Sequence, residues 1–103
     1  MKFRVNPRFA ADFDGLPTGQ QKMFRDRMSA FSKGCDDWTT NGPSPHPWPA
    51  NLRVHQLAGR NRWSMTWHYR RPDGRATFEF FEDDGEVKVR WIRIGGHEIY
   101  DEG

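Results

Sequence analysis

The stretch that decides the fold is Arg62–Arg70, which reads Arg-Trp-Ser-Met-Thr-Trp-His-Tyr-Arg. Large apolar side chains alternate with polar ones: Trp63, Met65, Trp67 and Tyr69 against Arg62, Ser64, Thr66, His68 and Arg70. A period of two over this length predicts a β-strand with one buried face. We therefore expect the strand to lie at the centre of a sheet. Its apolar face would pack on helices, and its polar, basic face would meet an anionic partner.

Three further strands are predicted around this one. Residues 52–57 precede it and end in a turn near Gly59. After it, Pro72-Asp73-Gly74 and Asp83-Asp84-Gly85 are hairpin turn signals, so residues 75–81 and 86–94 are predicted to be antiparallel strands. Ile92 and Ile94 break the alternation of the last strand, which indicates a bulge or cover on both faces. Gly95-Gly96 ends that strand, and a short turn is expected over residues 97–100.

Two helices are predicted upstream, over about 7–15 and 19–33. Asn6 before Pro7 is a favoured start for the first helix. Thr18-x-x-Gln21 matches a capping box for the second, and Gly34 is its expected C-cap. Residues 2–5 are predicted to form a short edge strand. Residues 36–51 hold four of the seven prolines and are expected to be irregular and to lie over the fold.

Helices followed by a meander of strands are typical of an α+β fold. We predict an N-terminal helix hairpin packed on a four-stranded, mainly antiparallel twisted sheet, with the possible edge strand beside it. The length of 103 residues favours one domain over residues 1–103.

The net charge is only +2, but its distribution is uneven. Residues 52–75 contain six arginines and one acid, Asp73, whereas residues 79–86 contain five acids and no base. Such clustering sets the local field, and arginine suits two-point contact with phosphate or carboxylate. The sequence therefore predicts an anionic partner for the basic stretch.

Several classes of protein are disfavoured. Cys35 is the only cysteine, so no disulfide framework is expected, and no metal-ligand spacing is present, so we expect neither metal nor cofactor. The N-terminus lacks the apolar run of a signal peptide, and no segment has the composition of a membrane span. We expect a soluble, cytoplasmic protein that does not enter a membrane.

Three segments carry a resemblance to a known family: Leu52-Arg-Val-His-Gln-Leu-Ala-Gly59, Arg75-Ala-Thr-Phe-Glu-Phe80 and Arg93-Ile-Gly-Gly-His-Glu-Ile-Tyr100. Their order and spacing, over nearly the whole chain, resemble the RelE/ParE toxin superfamily of bacterial toxin–antitoxin pairs, and the RelE, YafQ-like and YoeB-like branch most. The resemblance implies a ribosome-dependent endoribonuclease of messenger RNA, an mRNA interferase, that a cognate antitoxin inhibits. ParE-like inhibition of DNA gyrase, or a toxin-fold module that only binds a partner, is the alternative. A basic nucleic-acid-binding domain unrelated to toxins is a third.

Cleavage of RNA by its own 2′-hydroxyl needs a base, an acid and positive charge at the phosphate. Histidine suits the proton transfers and arginine the phosphate. The resemblance assigns catalysis to His97, Arg75, His55 and Tyr100, and RNA binding to Arg53, Arg60, Arg62 and Arg90. Simpler interpretations stay open: His55 as an ordinary strand histidine, His97 as a helix cap and Arg75 as a salt-bridge partner. His68 is interpreted as an ordinary strand histidine. Arg70 and Arg71 are interpreted as solvated residues beside a hairpin turn.

Overall fold

The computed structural model describes residues 1–42, 47–57, 59, 61–69, 73–96 and 99. Two helices and five strands are found there, together with one short 3-10 turn. In chain order they are β1 (Phe3–Val5), α1 (Pro7–Asp14), α2 (Thr18–Asn41), the 3-10 turn (Ala50–Leu52), β2 (His55–Gln56), β3 (Trp63–His68), β4 (Gly74–Asp83) and β5 (Glu86–Gly95).

The five strands form one sheet in the order β1-β5-β4-β3-β2. β1 pairs with β5 in parallel, and all other neighbours are antiparallel. The predicted α+β architecture is therefore confirmed. The possible edge strand is real and makes the sheet five-stranded.

Both helices contribute to a core that covers one face of the sheet. Trp63, Met65 and Trp67 are at most 7% exposed and belong to this core, as their alternation predicted. Phe31 of α2 lies at the centre and is fully buried, with its ring 5.0 Å from the rings of Phe78 and Trp91. Half of the buried hydrophobic side chains among the described residues are aromatic, and each aromatic ring buries a large area. Tyr69 follows the end of β3 and is 38% exposed, so its predicted burial is wrong, but its ring faces α2, with the guanidinium of Arg27 5.3 Å from the ring centre.

The opposite face of the sheet is less open than expected. Ser64 and Thr66 of β3 are fully buried, and Thr77 of β4 is 3% exposed. The central polar residues are thus shielded, and the accessible groups of this face lie near its rims.

α2 is longer than predicted and continues to Asn41, so the expected end at Gly34 is wrong. Gly34 lies within the helix and against Trp48: an added Cβ would be 2.6 Å from the indole Nε1 and 2.7 Å from Cγ. Glycine is present because the indole occupies this space, not because the helix ends. The helix ends instead at Gly42, where φ is +80°. Residues 36–41, expected to be irregular, are helical.

The predicted helix starts have different outcomes. The Asn6 side chain accepts a hydrogen bond from the backbone N–H of Arg8 at 2.8 Å, which confirms the cap of α1. The capping box of α2 is wrong, because Pro17 occupies the cap position and makes no side-chain bond. Gln21 instead donates from Nε2 to the carbonyl of Phe13 at 2.9 Å and links the two helices.

The last hairpin follows the sequence closely. Asp84 and Gly85 have φ values of 54° and 71°, as a tight two-residue turn requires. Phe78 is opposite Trp91 while Thr77 is opposite Arg93, so Ile92 is the extra residue of the predicted bulge. At the other edge, residues 52–57 were predicted to be a strand, but only His55–Gln56 pair with β3. The turn at Ala50–Leu52 and the left-handed Arg53 take up the preceding residues.

Candidate functional site

The sheet register brings two of the predicted site residues, His55 and Arg75, onto one surface with Ser64, Thr66 and Thr77. We call the surface formed by these five residues the polar face. His55 pairs with Ser64, and Ser64 pairs with Thr77. In the next row Thr66 pairs with Arg75. Residues that pair directly across antiparallel strands point to the same side. His55 and Arg75 therefore share the face opposite the helices. The catalytic hypothesis also requires His97 on this face, and His97 lies outside the described residues.

Two arginines meet at the rim of this face. One carboxylate oxygen of Asp73 lies 3.3 Å from Nη1 of Arg53 and 3.3 Å from Nη2 of Arg75. The side chain of Arg75 is 15% exposed and that of Arg53 is 56% exposed. Two guanidinium groups that converge on one oxygen form an anion site, and here Asp73 supplies the anion.

The backbone directs Arg53 to this position by an uncommon conformation. Arg53 has φ 47° and ψ 42°, in the left-handed region, directly after the 3-10 turn. A residue with a Cβ pays roughly 1 kcal/mol or more for this conformation. Such strain persists where the surrounding structure requires it, often at functional sites.

His55 is exposed beside the arginines, and its hydrogen bond defines its tautomer. Nδ1 lies 2.9 Å from the carbonyl oxygen of Arg53. A carbonyl only accepts, so Nδ1 must carry the proton, and in the neutral ring the lone pair is on Nε2. Nε2 is the atom that can take a proton from a substrate hydroxyl.

Two buried hydroxyls lie in the same rows. Thr66 Oγ1 and Thr77 Oγ1 have no hydrogen-bond partner among the residues that the structure describes. A buried hydroxyl without a partner costs about 1–3 kcal/mol, which calls for a reason. Alternation alone placed Thr66 and Thr77 on the polar face but gave no hint of their burial. The signal for Asp73 was its position as the single acid of residues 52–75.

Solved structures provide the comparison for this geometry. A double arginine-to-alanine mutant of the E. coli toxin RelE in the free state matches with a TM-score of 0.59 and 15% identity, over 98% of this chain and 90% of that chain. The YoeB/ParE toxin from Agrobacterium tumefaciens matches with a TM-score of 0.54 and 13% identity, over 94% of this chain and 99% of that chain. The chain has the RelE-type toxin fold. No protein-family model matches it, and no curated protein does.

Within this RelE-type fold, the remaining predicted residues have mixed positions. Arg90 of β5 pairs with Glu79 at 2.7 Å, and its guanidinium lies 4.1 Å from the ring centre of Phe81. Arg62 is partly buried, and its Nε has no hydrogen-bond partner among the described residues. The structure thus shows Arg90 in contacts of its own, while a role of either residue in RNA binding stays a prediction. The other predicted residues, Arg60, His97 and Tyr100, lie outside the described residues, as do Arg70 and Arg71.

Two other charged side chains of the sheet have structural contacts. Arg93 is opposite Thr77, but its Nε donates to Asp12 of α1 at 2.6 Å. The same carboxylate accepts the backbone N–H of Ile94 at 3.2 Å, at a part of β5 that β1 does not cover. His68 lies at the end of β3 beside Trp67, with ring centres 5.5 Å apart. These contacts favour a structural role for both Arg93 and His68.

An apolar groove of about 330 Å³ lies on the helix side of the RelE-type fold, between β1, α1 and α2. Val5, on the edge strand, is 52% exposed there. The groove is lined mainly by aromatic and aliphatic side chains: Phe3, Val5, Phe9, Ala10, Phe13, Phe24 and Trp91, with Asp14 and Arg25. The groove is therefore an accessible apolar surface beside the edge strand of the sheet.

The structure describes neither a metal cluster nor a reactive thiol. Among the described residues, no group of three or more histidine, cysteine or acidic side chains is placed to hold a metal ion. Burial raises the pKa of Cys35 to about 12, so its thiol stays protonated at neutral pH. In the same part of the chain, no helix is long and apolar enough to cross a membrane.

Proposed function

We propose that this chain, as one domain over residues 1–103, is a RelE/ParE-superfamily toxin that cleaves messenger RNA on the ribosome. The observation that carries the proposal is that Arg53, His55 and Arg75 lie together at the polar face of a RelE-type fold. The products would be a 2′,3′-cyclic phosphate and a free 5′-hydroxyl, because the 2′-oxygen attacks the phosphorus and the 5′-oxygen leaves.

Each described residue has one task in this reaction. Nε2 of His55 accepts the proton of the 2′-hydroxyl, since Nδ1 already donates to the carbonyl of Arg53. Arg75 binds the crowded phosphate, where guanidinium charge stabilises the extra negative charge of the transition state. Arg53, more exposed, binds the chain beside it. The sequence resemblance makes His97 a proton donor or acceptor, and with His55 as the base we propose that His97 gives the proton to the leaving oxygen. Tyr100 orients the scissile group or stacks on a base.

The test is cleavage of a translated message. The purified protein is added to a programmed ribosome, and new RNA ends are mapped by primer extension, with naked RNA beside it. Wild-type protein should produce cuts at the ribosomal A site. Arg75→Ala should lower the rate by roughly 10²-fold or more, as loss of a transition-state donor does, and His55→Ala by about 10²-fold.

A matched control separates the site from total charge. Lys33→Ala removes one positive charge from an exposed position of α2 and should cleave like the wild type. His97→Ala tests the residue that we propose as the proton donor. A well-folded wild-type protein that produces no cuts removes the nuclease proposal. The next assay is then gyrase supercoiling, because one structural neighbour is described as a YoeB/ParE toxin.

The partner that we propose is a cognate antitoxin bound in the apolar groove. β1 is the edge strand of the sheet, and Phe3 and Val5 turn their side chains toward the groove. An extended segment can add to β1 while its alternate side chains enter the groove. Val5→Asp should weaken the binding of the antitoxin encoded beside this chain without reducing A-site cleavage. Unchanged binding in isothermal titration would place the antitoxin elsewhere.

A further inference from the structure

We infer that Asp73 occupies the phosphate position of the polar face, so that RNA must displace this carboxylate to bind Arg53 and Arg75. The inference rests on the proposed function and adds a built-in competitor to it. Its starting point is that a single oxygen of Asp73 lies 3.3 Å from a guanidinium nitrogen of each arginine.

The two arginines come from separate parts of the sheet. Arg53 lies two residues before the start of β2, Arg75 belongs to β4, and β3 lies between those strands. Two guanidinium groups that both reach one oxygen would repel each other without an anion between them. The carboxylate of Asp73 is 23% exposed and lies between the two guanidinium groups at the rim of the polar face. Its oxygen is where a non-bridging phosphate oxygen would bind.

A phosphate differs from the carboxylate in the oxygens that it offers to the two arginines. A phosphodiester offers two charged oxygens, whereas Asp73 uses one oxygen for both arginines. We therefore expect a phosphate to give a separate charged oxygen to each guanidinium group. This difference lets RNA replace Asp73.

The competitor lowers the affinity of the empty site for any anion. Asp73 lies two residues before Arg75 in the chain, so its carboxylate stays close to the guanidinium of Arg75. Its charge cancels part of the field of the two arginines, and RNA that binds there gains only the difference between the two anions. Free RNA would bind weakly, while a message held and ordered by the ribosome could still compete.

The experiment measures binding of a labelled 2′-O-methyl RNA oligonucleotide, which has no free 2′-hydroxyl to attack, by fluorescence anisotropy over a range of KCl concentrations. Asp73→Asn should bind roughly tenfold more tightly than the wild type, as the loss of two competing ion pairs implies. Its plot of log affinity against log salt should be steeper by about 0.7 for each phosphate newly bound.

Three variants make the outcome decisive. Asp26→Asn makes the same charge change in the exposed pair with Lys22 on α2, and its affinity should stay within about twofold of the wild type, as a distant exposed charge is screened by salt. Asp73→Glu keeps the competing charge and should restore weak binding. The double variant Arg53→Ala/Asp73→Asn should lose much of the gain. Thermal unfolding followed by circular dichroism confirms that each variant is folded.

Equal affinity and equal salt slope of Asp73→Asn and the wild type would overturn the inference, as would an equal gain in Asp26→Asn. The ribosome assay reports on the proposed function separately. If cleavage depends on Arg75 but Asp73→Asn does not gain affinity for RNA, the proposal of a nuclease stands and the proposal that Asp73 competes with RNA is refuted. If Asp73→Asn gains affinity for RNA but the wild type does not cleave, the anion site stands and the proposal of a nuclease is refuted.

Discussion

Gly34→Ala should destabilise this protein, although alanine is the better helix former. Gly34 lies within α2, where the exchange by itself would favour folding by about 1 kcal/mol. The added Cβ, however, would be 2.6 Å from Nε1 and 2.7 Å from Cγ of Trp48. Contacts this short require one of the two groups to move.

Trp48 has little freedom to move. It is 4% exposed, its Nε1 donates to the carbonyl of Phe31 at 3.3 Å, and its ring lies 5.4 Å from that of Trp38 and 5.9 Å from that of Trp63. Overpacking costs up to about 3 kcal/mol when neighbours can adjust, and loss of a buried tryptophan costs about 3–5 kcal/mol. After the helix gain is subtracted, the net loss should be about 2–4 kcal/mol, as estimated from these ranges.

Urea and thermal unfolding, followed by far-ultraviolet circular dichroism, measure this loss. A fall of about 2 kcal/mol corresponds to roughly 10 °C in the melting temperature of a domain of this size. Gly19→Ala is the matched control, because nothing lies within 4 Å of a Cβ added there. It should be neutral or stabilising by up to about 0.5 kcal/mol.

A double-mutant cycle shows whether the indole is the cause. In a Trp48→Ala background the clash is absent, so Gly34→Ala should then be neutral or stabilising, and the two costs should be far from additive. If Gly34→Ala is as stable as the wild type, the close packing of Trp48 on α2 is refuted.

Three further outcomes follow from single contacts. Asp12→Ala should lower the free energy of unfolding by about 2–4 kcal/mol, because the half-buried guanidinium of Arg93 loses its carboxylate; equal urea midpoints would contradict this. The Cys35 thiol, with its pKa raised to about 12 by burial, should not react with a disulfide reagent near pH 8 until guanidinium chloride unfolds the chain. The hydrogen bond from Lys88 holds the pKa of Asp83 below its usual value. The ionised Asp83 therefore stabilises the folded protein at pH values above its pKa in the unfolded chain, and this stabilisation is lost as the pH falls through its pKa in the folded protein. Urea midpoints at neutral and acidic pH should therefore differ less in Lys88→Met than in the wild type.

Local signals in the sequence predicted much of the fold. The alternation around Trp63 and Trp67 identified a buried strand, and Asp84-Gly85 identified the last hairpin, because both depend on neighbours within a few residues. The prediction that α2 ends at Gly34 was wrong because it, too, used only neighbouring residues. A glycine that ends a helix and a glycine that admits an indole from 14 residues away look alike in the sequence.

The candidate site could likewise be predicted from the sequence only in part. The sequence by itself determined which residue types are available, a run of arginines with a histidine and one acid. The sheet register decided that His55 and Arg75 share a face. Only the tertiary structure decided that Asp73 lies between Arg53 and Arg75 and that Thr66 is buried beside them. Composition and periodicity describe positions along the chain, whereas an ion pair depends on distances between strands, which sheet register and packing alone create.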